Sequence, residues 1–210
     1  MRSWIIAIVA VAVVALLGTG LYLFTTRPPA PPPAPTVEAT AMPSPSPVAP
    51  GGRAEAALVE MDLPAGWQFL VDQWPPDAAM DTPHVTPQLF AWRDGAGFTT
   101  SPTRLSIISL EWNQLPIDQY LADLEQQLGQ SPGVSDVVTA VTTELRQDGL
   151  PAGRAMYTIE TETGRFNGAQ VVTLDTPAQH LVIFSLVAPA ETGTIDDLLQ
   201  ELMQTVRFRE

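Results

Sequence analysis

The chain has 210 residues and no cysteine, which excludes a lipidated cysteine anchor, thiol chemistry, thiolate metal sites and disulfide staples. Its formal net charge is −13, from 23 acids against 10 basic residues, all of them arginine. Before residue 53 the charged residues are Arg2, Arg27 and Glu38, so the acidity belongs to the C-terminal part, which repels a phosphate backbone; no nucleic-acid partner is expected.

Trp4 to Phe24 is a run of 21 residues without a charge, enough to cross a hydrocarbon core of about 30 Å as a helix rising about 1.5 Å per residue. A cleaved signal peptide would have a shorter apolar stretch and a small-residue cleavage site; here Thr25, Thr26, Arg27 and prolines follow, which favours an uncleaved signal-anchor. Residues 1–27 are therefore expected to form a single transmembrane helix with its flanks. Arg2 and the terminal amine favour a cytoplasmic N-terminus, and a long domain translocates largely regardless of its own charge. The expected location is a cell membrane, with the C-terminal domain extracytoplasmic. Abundant Ala and Pro with Arg as the basic residue suggest a GC-rich bacterial genome.

Residues 28–52 contain ten prolines and a single charge, Glu38. Such a stretch cannot pack a core and is expected to be a disordered linker that favours extended polyproline II, a spacer between membrane and domain. Residues 53–210 remain for one globular domain.

Within it, short apolar runs separated by turn residues predict strands. Leu58 to Asp62 and Trp67 to Asp72, joined by the turn Pro64-Ala65-Gly66, suggest a hairpin. Residues 73–87, with Pro75, Pro76, Pro83 and Pro87, suggest a long loop; Leu89 to Arg93 and Arg104 to Trp112 follow as strands, with a second loop over 94–102. Ile117 to Leu128 predicts a helix, since its apolar residues fall at 117, 120, 121, 124 and 128. Pro116 suits its first position and Gly129 its stop. Val137 to Arg146, Arg154 to Glu162, Arg165 to Asp175 and His180 to Ala188 predict four further strands. Ile195 to Thr205 predicts a second helix, opened by Thr194 and Asp197 in a capping-box-like pattern. Val206 to Arg209 suits a last short strand closing the sheet. The fold class is α+β, a central antiparallel sheet flanked by helices.

The order of these elements, the turn Leu63-Pro64-Ala65-Gly66-Trp67, the helix over 117–128, the segment Gly149 to Ala155 leading into a strand, and the terminal helix followed by Val206-Arg207-Phe208 resemble the PsbP/DcrB-like superfamily. That superfamily includes the extrinsic P subunit of photosystem II, bacterial envelope proteins and Mog-type proteins. The resemblance covers nearly all of residues 56–210. It implies an α/β/α sandwich that serves as a binding or accessory module, and it transfers no catalytic residues and no ion ligands.

The chemistry-bearing residues agree with that picture. His84 and His180 have no metal-ligand spacing, and Asp94-Gly95-Ala96-Gly97 lacks the acidic repeat of a calcium loop. Asp196 and Asp197 suit the first turn of a helix, where its dipole accounts for acids. No catalytic residue, metal or cofactor is expected, and the chain is not expected to be an enzyme. Trp74, Met80 and His84 lie on an unusually long, Pro-stiffened loop, and Phe98 on the neighbouring one. Long connections often carry function, so these four are the candidate partner-binding residues. The expected role is a membrane-anchored extracytoplasmic binding or accessory protein of the bacterial envelope, acting on another envelope or membrane protein. The alternative is a small-ligand or cation-binding module, marked by a deep apolar pocket or a carboxylate cluster.

Overall fold

A computed structural model of the protein describes residues 51–209 except 79–83, 112–115, 143–151, 163, 176–179 and 192. The expected membrane span and nearly all of the linker lie outside the described residues, as do Met80 and Trp112. Among the described residues no helix is long and apolar enough to cross a membrane.

Among the described residues ten strands and two helices follow in the order β1 (Gly52–Glu55), β2 (Val59–Leu63), β3 (Gln68–Val71), β4 (Val85–Arg93), β5 (Thr103–Glu111), α1 (Ile117–Gly129), β6 (Val134–Thr142), β7 (Ala152–Thr161), β8 (Gly164–Asp175), β9 (His180–Pro189), α2 (Ile195–Met203) and β10 (Arg207–Phe208). Seven of the strands form one sheet in the order β3-β4-β5-β9-β8-β7-β6, and β1-β2-β10 form a second. Every pairing in the large sheet is antiparallel.

Alternation along the central strands divides the core in two, because successive side chains point to opposite faces. On one face Ile108, Ile183 and Val172 pack with Tyr120, Leu124 and Leu128 of α1. On the other, Ile107, Phe184 and Val171 pack with Leu199 and Leu202 of α2 and with Val59 and Met61 of the small sheet. Helix α1 settles closely over β7, where a Cβ on Gly153 would overlap the Leu121 side chain. Leu121 and Leu124 are buried, each contributing on the order of 2 kcal/mol of hydrophobic stabilisation.

Several details differ from the sequence-based expectation. The turn at Pro64–Gly66 forms, closed by Trp67 N–H donating to the Pro64 carbonyl at 3.4 Å, but the strands on its two sides do not pair with each other. β2 alternates Val59, Met61 and Leu63 with Glu60 and Asp62, a pattern suited to a sheet with one solvated face. β3 buries the adjacent Phe69 and Leu70 on opposite faces, which only the covered central sheet can satisfy. The chain therefore passes from one layer to the other at this turn.

β1 was not expected, and it begins at Gly52, one residue before the boundary set from composition. β4 extends back to Val85 through Pro87, because a bulge between Pro87 and Leu89 removes the need for a regular ladder at the proline. β6 spans Val134–Thr142, three residues ahead of its expected start. Pro116 occupies the N-cap of α1, and Gly129 is its last helical residue, with the stop at Gln130. Thr194 makes no side-chain cap bond to the backbone of α2; its hydroxyl donates to the Asp197 carboxylate instead. β10 closes the small sheet against β2, with Arg209 N–H donating to the Leu58 carbonyl at 2.9 Å.

Candidate binding site

The first long loop leaves β3 through Asp72, which adopts a left-handed backbone (φ 53°) and accepts a hydrogen bond from Ala57 N–H at 2.9 Å. Trp74 is half-buried, and its ring lies 5.3 Å from that of Phe90. Phe98, from the second loop, is only 2% exposed and meets Phe90 at 5.0 Å and Trp92 at 6.4 Å, edge to face in both cases. The two loops are tied together by Asp77, whose carboxylate accepts from Thr99 N–H at 2.9 Å and Thr99 O–H at 2.7 Å. Trp74 and Phe98 thus converge on Phe90, with Phe98 supporting the loop from beneath. His84 is exposed with φ 70°, at the far end of the loop, and Met80 lies outside the described residues.

The same face of the large sheet carries a second constellation. Ser106 on β5 stands opposite Ser185 on β9, and Ser185 stands opposite Gln170 on β8, so the three form a row across the sheet. One row further, Arg104 and Tyr157 stand on β5 and β7 with Val187 and Gly168 between them. Gln170 is 1% exposed, Tyr157 3% and Ser185 6%. Both ends of the Gln170 amide, the Ser185 hydroxyl, the Tyr157 hydroxyl and the Trp92 Nε1–H are buried without a hydrogen-bond partner among the described residues.

Helix α1 adds Gln127, whose Oε1 is also buried and unpartnered. Glu125, on one flank of the helix, accepts from the Thr139 hydroxyl of edge strand β6 at 2.6 Å. At 100° per residue Gln127 falls on the opposite flank, toward the middle of the sheet. Each such atom costs about 1–3 kcal/mol if it stays unpaired, so a cluster of them calls for an explanation.

Arg104 supplies the charge. Its Nη1 donates to the backbone carbonyls of Thr99 at 3.1 Å and Ser101 at 3.3 Å. Among the described residues no carboxylate lies within ion-pairing distance of it. Burial lowers its pKa, opposed by its electrostatic interactions with Tyr157 and Asp77. Burial likewise raises the Tyr157 and Tyr120 hydroxyls far above the usual phenol range, so both are neutral donors. Tyr157 reaches toward Arg104 because its ring lies over Gly168; a Cβ at that position would overlap the ring.

On the outer flank of α1 an open groove of about 630 Å³ is lined by Glu125, Gln126, Val134 and Asp136 among others. Among the described residues no three His, Asp or Glu side chains gather where they could share a metal ion.

No family model matches the sequence, and no curated protein matches it. Solved structures similar to it include the following two. A protein of Bacteroides thetaiotaomicron is 12% identical with a TM-score of 0.41, over 72% of this chain and 45% of its own. The chain therefore spans under half of that protein's length. LpqN of Mycobacterium tuberculosis, described as involved in cell envelope biogenesis, is 15% identical with a TM-score of 0.42, over 79% of this chain and 90% of its own.

The row Ser106–Ser185–Gln170 was not singled out from the sequence. A signal was available: each is a polar residue inside an apolar strand, in RLSIISL, VIFSLVA and AQVVTL. Their alignment depends on strand register, which periodicity alone does not fix.

Proposed function

We propose that the protein is a single-pass, membrane-anchored, extracytoplasmic accessory protein of a bacterial envelope. In this reading its domain is a PsbP/DcrB-like α/β/α sandwich that binds another envelope or membrane protein and performs no catalysis. The uncharged run from Trp4 to Phe24 and the Pro-rich stretch after it support tethered display of the domain.

The observation that carries the binding role is the construction of the first loop. Trp74 is half-buried against Phe90, Asp77 ties the loop to Thr99, and Pro75 and Pro76 stiffen the backbone beside the indole. An aromatic residue held in place before a partner arrives loses little conformational freedom on docking, and aromatics of this kind dominate binding energy at interfaces.

Crosslinking of the full-length protein in intact cells, followed by solubilisation and mass spectrometry, tests this. One reproducible envelope protein should be recovered, and its capture should fall at least ten-fold when Trp74, Met80 and His84 are all replaced by alanine. Capture unchanged by those substitutions, or no captured protein, overturns the docking role.

A further inference from the structure

The unpartnered polar groups on the α1 face of the sheet share one direction. Ser185 and Gln170 are directly opposed on β9 and β8, yet they do not bond to each other. Tyr157 is laid across Gly168 toward Arg104 without bonding to it, although the Arg104 charge acts on its hydroxyl. Arg104 spends Nη1 on two neutral carbonyls, and among the described residues no hydrogen bond occupies its Nη2 or Nε. A half-buried guanidinium with no carboxylate within ion-pairing distance is the costliest of these groups to leave without a close counter-charge.

We infer that this face holds a small organic monocarboxylate, bound between the two loops and α1, with Arg104 supplying the charge and Tyr157 and Ser185 donating to its oxygens. One guanidinium balances one negative charge; a dianion such as phosphate would carry a second buried charge with nothing to offset it. The Gln170 and Gln127 Oε1 atoms are acceptors, so the ligand carries a hydrogen-bond donor beside its carboxylate, as a hydroxy acid does. Asp77 and Thr99 clasp the two loops beside Arg104, which donates to the Thr99 carbonyl. This site is independent of the docking role, which uses the outer side of the first loop.

The test uses the full chain in lipid nanodiscs, titrated with glycolate, acetate, phosphate and chloride at constant ionic strength. Thermal midpoint and tryptophan emission are followed, since the Trp92 Nε1–H lies on this face. Glycolate should give a saturable shift in both, acetate a weaker one, and phosphate and chloride none. Tyr157→Phe and Gln170→Leu should each weaken glycolate binding at least ten-fold. Both substitutions keep the bulk of the side chain, so they test the site even where Arg104→Gln fails to fold. The site is overturned by a wild-type chain that shows no saturable response, by variants that bind glycolate as the wild type does, or by a high-resolution map with only ordered water beside Arg104.

Discussion

Tyr157 and Gly168 are cross-strand partners on β7 and β8, and the phenol ring fills the space in which a Cβ on residue 168 would stand. Gly168→Ala must therefore push the ring aside or strain β8. We expect a loss of about 1–3 kcal/mol in urea unfolding, typical of overpacking a filled core. The displaced phenol should also lose its approach to Arg104, so glycolate binding should weaken in the same variant.

Gln88 stitches the two sheets together. Its Oε1 accepts from Leu58 N–H at 2.9 Å and its Nε2 donates to the Ser109 hydroxyl at 3.1 Å, with the residue 1% exposed. Gln88→Leu fills similar space but orphans the Leu58 amide. The expected cost is about 1–3 kcal/mol by urea unfolding, with faster hydrogen exchange at Leu58 than in the wild type.

Phe98 contacts both Phe90 and Trp92, so its replacement acts on stability before it acts on binding. Phe98→Ala should cost about 3–5 kcal/mol, read as a lower midpoint in thermal unfolding. His84→Ala, at an exposed position, should stay within about 0.5 kcal/mol of the wild type.

Arg53 reaches across β1 and β2 to Glu60 at 2.6 Å and to Glu55 at 3.2 Å, standing between two acids that face each other in the ladder. The Arg53 hydrogen bond holds the Glu60 carboxyl below its ordinary range, against a partial desolvation that works the other way. A carboxyl with a lower pKa in the folded than in the unfolded state stabilises above the unfolded value, about 4.3, and loses that contribution as pH falls through the folded one. Amide exchange should show residues 53–55 losing protection in acid while β5 and β9 keep theirs. Glu60→Gln should remove most of this pH dependence.

Elements with a strong period were legible in the sequence. Helix α1 carries apolar residues at every position that faces the sheet, and its observed span differs from the expected one by Gly129 alone. Pairing was harder to read. A turn at Pro64–Gly66 between two apolar runs suggests a hairpin, and only the contrast between the one-sided pattern of β2 and the two-sided burial of β3 separates them into different sheets. The candidate site was legible in its loop and not in its sheet. Trp74 is conspicuous beside two prolines, whereas Ser106 lies 79 positions and Gln170 15 positions from Ser185, and the three meet only through the register of β5, β9 and β8.

The place where the chain enters the domain also has a mechanical meaning. Any tension arriving along the residues before Gly51 reaches the fold at β1, an edge strand with four register pairs to β2, and at the Gly51 N–H bond to the Trp67 carbonyl. The large sheet carries none of that load directly. In the tethered reading proposed above, β1 is the strip that such a load would meet first, ahead of the layers around Arg104 and Phe90.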